Sequence, residues 1–142
     1  MVPELQGALL DDLRAVSPGS GLVYDPFAGS GTVMLESLYR GMDFHGSDIN
    51  PLAILLCQVK ANPPSVAAGE SAVARVAARA ATIKSPTMPV FAGVDKWFKP
   101  EIKLGLAQLR LAILDEEQLV DRQFLWVCLA ETIRLVSNSR IS

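Results

Sequence analysis

Apolar positions recur along this chain in two rhythms, one helical and one strand-like. Over residues 3–16, Leu5, Leu9, Leu10 and Leu13 share a face at helical spacing and predict a short helix. Ser17-Pro18-Gly19-Ser20-Gly21 breaks it. Leu22-Val23-Tyr24 is a brief apolar run closing on Asp25, the pattern of a buried strand. Pro26 to Gly31 reads as a glycine-rich loop and Thr32 to Arg40 as a helix, with Gly41 as its stop. Phe44 to Ser47 predicts a second strand, ending at Asp48. Asn50 and Pro51 suit the N-cap and first position of a helix from Leu52 to about Ala61, which Asn62-Pro63-Pro64-Ser65 ends.

The rhythm then becomes helical throughout. Val66 to Thr82 is rich in Ala, Val and Arg and predicts a helix, followed by a Ser85–Pro89 loop and an irregular stretch from Phe91 to Lys99. Pro100 opens a helix to about Leu114, with Ile102, Leu106, Leu109 and Ile113 on one stripe. Asp115-Glu116-Glu117 is expected to open a last helix running to Val136, buried around Phe124 to Leu129, with Ser137 to Arg140 ending it. Two β-loop-α units in succession begin a doubly wound α/β fold. The expected division is residues 1–65 as a β-α-β-α part and 66–142 as a mostly helical insert or extension.

Composition narrows the possibilities. The chain has 142 residues, half of them hydrophobic, enough for a real core. Its formal charge of −2 shows no overall basic excess, so a nucleic-acid partner would have to be met by a local surface or by another part. Cys57 and Cys128 lie in apolar, helix-like stretches without Cys-x-x-Cys or Cys/His clustering, so free buried thiols are expected, no structural zinc, and a reducing cytoplasm. The first residues have no basic segment before a long apolar core, so no signal peptide is expected, and Phe124 to Ala130 is too short to span a bilayer.

The chemistry is concentrated in Asp25-Pro26-Phe27-Ala28-Gly29-Ser30-Gly31-Thr32, between a strand and a helix. Gly29 and Gly31 let the backbone turn tightly and approach a ligand, and the N–H groups opening the next helix favour a negative group. A phosphate loop needs a Lys before the Ser/Thr, and a dinucleotide loop needs a third glycine where Met34 stands. Asp25 has the wrong charge beside a phosphate and the right one beside an ammonium. A ligand presenting both a carboxylate and an ammonium is an amino acid, and S-adenosylmethionine presents both along with a sulfonium. Asp48, about twenty residues beyond the loop, suits a pair of ribose hydroxyls. Each feature alone is explained as a helix cap or a tight turn; their order along the chain points to a site for adenosine and an amino acid.

Asp25 to Thr32, together with Gly46-Ser47-Asp48-Ile49-Asn50-Pro51-Leu52-Ala53, resembles the cofactor motifs of the S-adenosylmethionine-dependent DNA amino-methyltransferases, which modify adenine N6 or cytosine N4. The close likeness covers residues 22–60, with a weaker one running on through Trp97-Phe98 and the last helices. The resemblance implies a partial Rossmann-like methyltransferase fold with a C-terminal helical segment, S-adenosylmethionine as cofactor, DNA as partner and a restriction-modification setting. It implies that Asp25, Phe27, Gly29 and Gly31 line the methionine side, that Asp48 holds the ribose and that Ile49 lies against adenine. Pro26, Ala28, Ser30, Thr32 and Asn50 complete the expected cofactor-binding set.

Such enzymes also carry a Pro-Pro-aromatic motif that holds the target amine and stacks on the flipped base. The chain's Pro-Pro, Asn62-Pro63-Pro64-Ser65, has Ser in the aromatic position and follows a helix, so it reads as a helix terminator and no catalytic residue is assigned. With two strands only, a truncated or split polypeptide is expected, inactive alone and completed by a second copy or a catalytic half. An RNA guanine-N2 methyltransferase fragment and a non-catalytic cofactor-binding remnant are the alternatives. His45 is expected to be an ordinary strand residue, Glu36 a surface charge and Trp97-Phe98 a core anchor. Arg75, Arg79 and Lys84, with Arg134 and Arg140, are basic residues whose default place is a solvated face.

Overall fold

The periodicities above become nine elements in the computed structural model, which describes residues 2–19 and 21–138. Up to Asn62 these are α1 (Pro3–Val16), β1 (Leu22–Asp25), α2 (Thr32–Tyr39), β2 (Asp43–Gly46) and α3 (Pro51–Ala61). From Pro63 onward come α4 (Val66–Thr82), α5 (Val94–Trp97), α6 (Pro100–Leu114) and α7 (Leu119–Val136). The chain forms two compact units that divide between Asn62 and Pro63. It is a mixed α/β protein, mostly helical, with a two-stranded parallel sheet. Ser139 and Arg140, expected to follow the last helix, lie outside the described residues, as does Ser20 in the first turn.

In the first unit β1 and β2 pair in parallel, Leu22 with Asp43 through Asp25 with Gly46, and α2 makes the crossover. Val23 and Phe44 are half-buried on the covered face, where Phe44 packs against Ala28, Met34 and Cys57. The other face is open, and this corrects the expectation of a buried strand. Leu22 and Tyr24 are about 60% exposed, and Tyr24 stacks on His45 with ring centres 5.6 Å apart. Among the described residues no third strand or helix covers that face. The second strand also sits one residue earlier than the hydrophobic run suggested, because Asp43 is carried into the ladder opposite Leu22.

The leucine face of α1 is only partly used. Leu10 is buried, but Leu5, Leu9 and Leu13 remain exposed. An ionic clamp also joins α1 to α2. Arg40 grips Asp11 with two parallel bonds of 2.8 and 2.9 Å and reaches Glu36 at 2.6 Å. Hydrogen bonding from Arg40 holds the Asp11 carboxyl below its usual range. Glu36 is therefore a half-buried partner rather than the plain surface charge its position suggested. Gly7 lies beneath it, and a Cβ there would come within 2.5 Å of Arg40 Nη2 and 2.8 Å of Glu36 Oε2, so these side-chain ends would have to shift.

In the second unit α4, α6 and α7 enclose Ala72, Val76, Ala80, Ala112, Ile113, Leu125 and Leu129. Ala72 and Ala112 are fully buried, and their small size lets the helix backbones approach. Ser65 caps α4 by accepting from the Ala68 N–H. Asp115 ends α6 instead of opening the last helix, and Glu116 turns inward. There it meets Arg75 at 3.3 Å, while Arg75 also binds Asp121 at 2.9 Å, and Arg79 donates to the Ala112 carbonyl. Arg75, although exposed, and Arg79, half-buried, are thus both engaged by partners within the helical unit. Phe98 is half-buried beside Leu106, Leu129 and Ile133 around a 240 Å³ cavity, whereas Trp97 stays 39% exposed.

Leu125 is 3% exposed at the centre of this core. Leu125→Ala is expected to destabilise the protein by about 2–5 kcal/mol. Leu119→Ala, at an exposed position, is expected to change stability by no more than about 0.5 kcal/mol. Chemical denaturation of the two variants checks both values.

Candidate functional site

The strand tips of β1 and β2 lie side by side because the ladder continues past its last paired residues. Ser47 N–H donates to the Asp25 carbonyl at 3.0 Å, and Ala28 N–H returns a bond to the Ser47 carbonyl at 3.0 Å. These two bonds bring the Asp25–Thr32 loop against the Asp48–Asn50 turn. All eleven residues expected at the site belong to these two neighbouring segments.

Within the loop, Asp25 Oδ1 accepts from the Phe27 N–H at 2.9 Å and folds the chain at the strand end. Gly29 and Gly31 both have positive φ, 51° and 79°. Gly31 needs its missing side chain twice over. A Cβ there would also lie 2.9 Å from Cys57 Sγ and 3.1 Å from Met34 Cε. Ala28 and Gly31 are buried under the loop, while Pro26, Phe27 and Ser30 face outward. Thr32 begins α2, whose first turn receives no side-chain cap, so its leading N–H groups keep the partial positive charge of a helix start.

Asp48 is the tie between the two segments. Its Oδ2 accepts from the Gly29 N–H at 2.8 Å and its Oδ1 from the Asn50 N–H at 2.8 Å. The Asn50 and Gly29 amides hold the Asp48 carboxyl below the usual carboxylate range. Both oxygens are thus engaged by backbone, a duty that spacing alone did not reveal. Each keeps a further lone pair for a ligand hydroxyl. Asn50 Oδ1 accepts from Leu52 N–H at 3.0 Å and caps α3, so its side chain is occupied structurally. Ile49 lies between them with its side chain wholly in solvent.

Two residues of α3 reach the loop from behind. Cys57, buried, donates weakly to the Gly29 carbonyl at 3.6 Å, and burial pushes its thiol pKa up. Lys60 donates to the Ser30 carbonyl at 2.6 Å. Lys60 was not identified as part of the site, and its position in the last turn of a helix gave no signal of it. His45 faces the open side of the sheet in its stack with Tyr24. Asn62 is the C-cap of α3 and Ser65 the N-cap of α4, so both ends of the Pro-Pro segment serve helix termini.

In sequence the chain is 32% identical over 151 aligned positions to the type II methyltransferase M.MvaI of Kocuria varians. The match takes in 99% of this chain and 33% of that protein, so the chain spans about a third of the length of the curated relative it matches. No protein-family model and no solved structure matches the chain.

The Asp48 tether has a definite pH signature. Because its carboxyl is held low in the folded state, the stabilisation is fully present above the ordinary value near about 3.9. It is lost as pH falls through the lower folded value. A carbon-13 NMR titration of the Asp48 carboxyl is expected to give a midpoint below about 3.9, and the Gly29 amide resonance is expected to move with that midpoint.

Proposed function

We propose that this chain, similar over a third of that protein's length to a type II methyltransferase, belongs to the DNA methyltransferase family and that its first unit is the S-adenosylmethionine-binding part of a methyltransferase acting on an exocyclic base amine, adenine N6 or cytosine N4. The observation that carries the proposal is the pair of exposed apolar side chains at neighbouring strand tips, Phe27 at 81% and Ile49 at 101% exposure. Asp48 stands immediately before Ile49 and is tied to the same loop as Phe27. An apolar surface beside an acid that retains free lone pairs suits a purine and its ribose.

The residues fit the cofactor part by part. Ile49 supplies an apolar surface for adenine, and Asp48 accepts from the ribose hydroxyls. Asp25 faces the ammonium, and the outward N–H groups after Gly29 receive the carboxylate. Phe27, Gly29 and Gly31 line the methionine arm, with Pro26, Ala28, Ser30, Thr32 and Asn50 shaping the two segments. S-adenosylmethionine supplies the activated methyl on its sulfonium. The chain's own work is to bind and orient that group. The partial sheet is read as the start of a Rossmann-like methyltransferase domain, with the helical unit as its insert or extension.

The groups that hold the target amine belong to another part. Asn62-Pro63-Pro64-Ser65 is spent on helix ends and carries no aromatic ring for stacking. The open sheet face bearing Leu22, Tyr24 and His45, with the outer edge of β1, is the natural seat for a catalytic half or a second copy. DNA is contacted through that part, since this chain carries a formal charge of −2. The free cysteines suit a reducing, cytoplasmic setting. None of the helices of the described residues is long and apolar enough to cross a membrane.

Calorimetric titration of the purified protein with S-adenosylmethionine tests the proposal. Saturable binding is expected, weakened about tenfold or more in Asp48→Ala, which loses both the ribose acceptor and the loop tether. A folded wild-type protein that takes up no cofactor would overturn it.

A further inference from the structure

Resting on the reading of this loop as a cofactor site, we infer that Lys60 is a positioning residue, fixing the loop's peptide planes so that the amino-acid end of the ligand is received. In a trans peptide the carbonyl and the following N–H lie on opposite sides of one plane, so holding one directs the other. The Gly29 carbonyl is drawn toward α3 by Cys57 Sγ, which turns the Ser30 N–H of that plane away from α3. The Ser30 carbonyl is drawn to Lys60 Nζ at 2.6 Å, and the Gly31 N–H of that plane turns to the Ala28 carbonyl at 2.8 Å.

The remaining donors of the loop are spent inside the chain. Phe27 N–H goes to Asp25, Ala28 N–H to Ser47 and Gly29 N–H to Asp48. Among residues 27–31, the Ser30 N–H is left facing outward, next to the uncapped first turn of α2. Cys57 holds the plane that carries this N–H and Lys60 holds the plane that follows it, so Ser30 is fixed from both sides by α3. The thiol is a weak donor, whereas the ammonium makes a charge-assisted bond about twice as strong as a neutral one. Lys60 is therefore the principal anchor, and its charge adds to the positive end of α2 without touching the ligand.

Lys60 also sits in the last turn of α3, where any cation complements the helix dipole. That role is indifferent to the ligand, which separates the two explanations. S-adenosylmethionine and S-adenosylhomocysteine carry the amino-acid end; 5′-methylthioadenosine does not. The purified protein is titrated with all three. Lys60→Met is expected to weaken the first two about tenfold and the third by less than about twofold, with Lys60→Gln behaving alike. Lys60→Arg, which keeps a charged donor, is expected to restore binding to within about threefold. In Lys60→Met the Ser30 and Gly31 amide resonances are expected to shift while those of α1 stay in place. Unchanged S-adenosylmethionine affinity in both neutral variants, or equal weakening of all three ligands, overturns the role of Lys60. Failure of the wild-type protein to bind S-adenosylmethionine strikes instead at the cofactor site and removes this role with it.

Discussion

One carboxylate sets the geometry on which everything else in the first unit relies. Two parallel strands make a weak sheet, and their C-terminal loops would diverge if each were held by its own strand alone. Asp48 prevents this by accepting an N–H from each side, Gly29 of the first loop and Asn50 of its own turn. It turns two separate β-α connections into one surface. The cost is that the acid's charge is partly committed before any ligand arrives, so a ribose would be read by the lone pairs that remain. Such an arrangement favours a preorganised site over an adaptable one.

The elements were legible in the sequence because each was locally consistent. Asn50 before Pro51 marks a helix start by cap and by fixed φ, and it caps as expected. Glycines in a strand-loop-helix setting marked the loop, and both adopt the positive φ that calls for glycine. What could not be read was burial and partnership. Leu22 and Tyr24 carry the pattern of a covered strand, yet a pattern records the environment a residue suits, not whether a covering layer is there. The same holds for Leu5, Leu9 and Leu13 on α1, three apolar side chains that remain in water. Long-range polar contacts were equally silent. Nothing local in Arg40 or Lys60 announces a partner at Asp11 or at the Ser30 carbonyl, because tertiary bonds of this kind leave no periodic trace.

The helical unit follows a different logic. Its helices approach closely at Ala72 and Ala112, while Val76, Ile113, Leu125 and Leu129 fill the core between them. Arg75 joins Glu116 and Asp121, a cluster that fixes where α7 begins relative to α4. Glu116 Oε2 is buried without a hydrogen-bond partner, which makes this the least satisfied polar point of the described structure. Arg75 and Arg79 are thus used in part to hold helices together.

The crossover from Leu22 to Gly46 also bears on how the chain reaches this state. β1, α2 and β2 are consecutive, and the two acids of the site are separated by one helix, one short strand and their connecting turns. Closing so short a loop costs little chain entropy, and contacts between near neighbours in sequence form early. Once α3 has brought Cys57 and Lys60 behind the glycine loop, every group that shapes the two segments has been made. Synthesis runs from the N-terminal side, so these segments emerge before α4, and the groups of the ligand-facing architecture do not wait for the helices that follow.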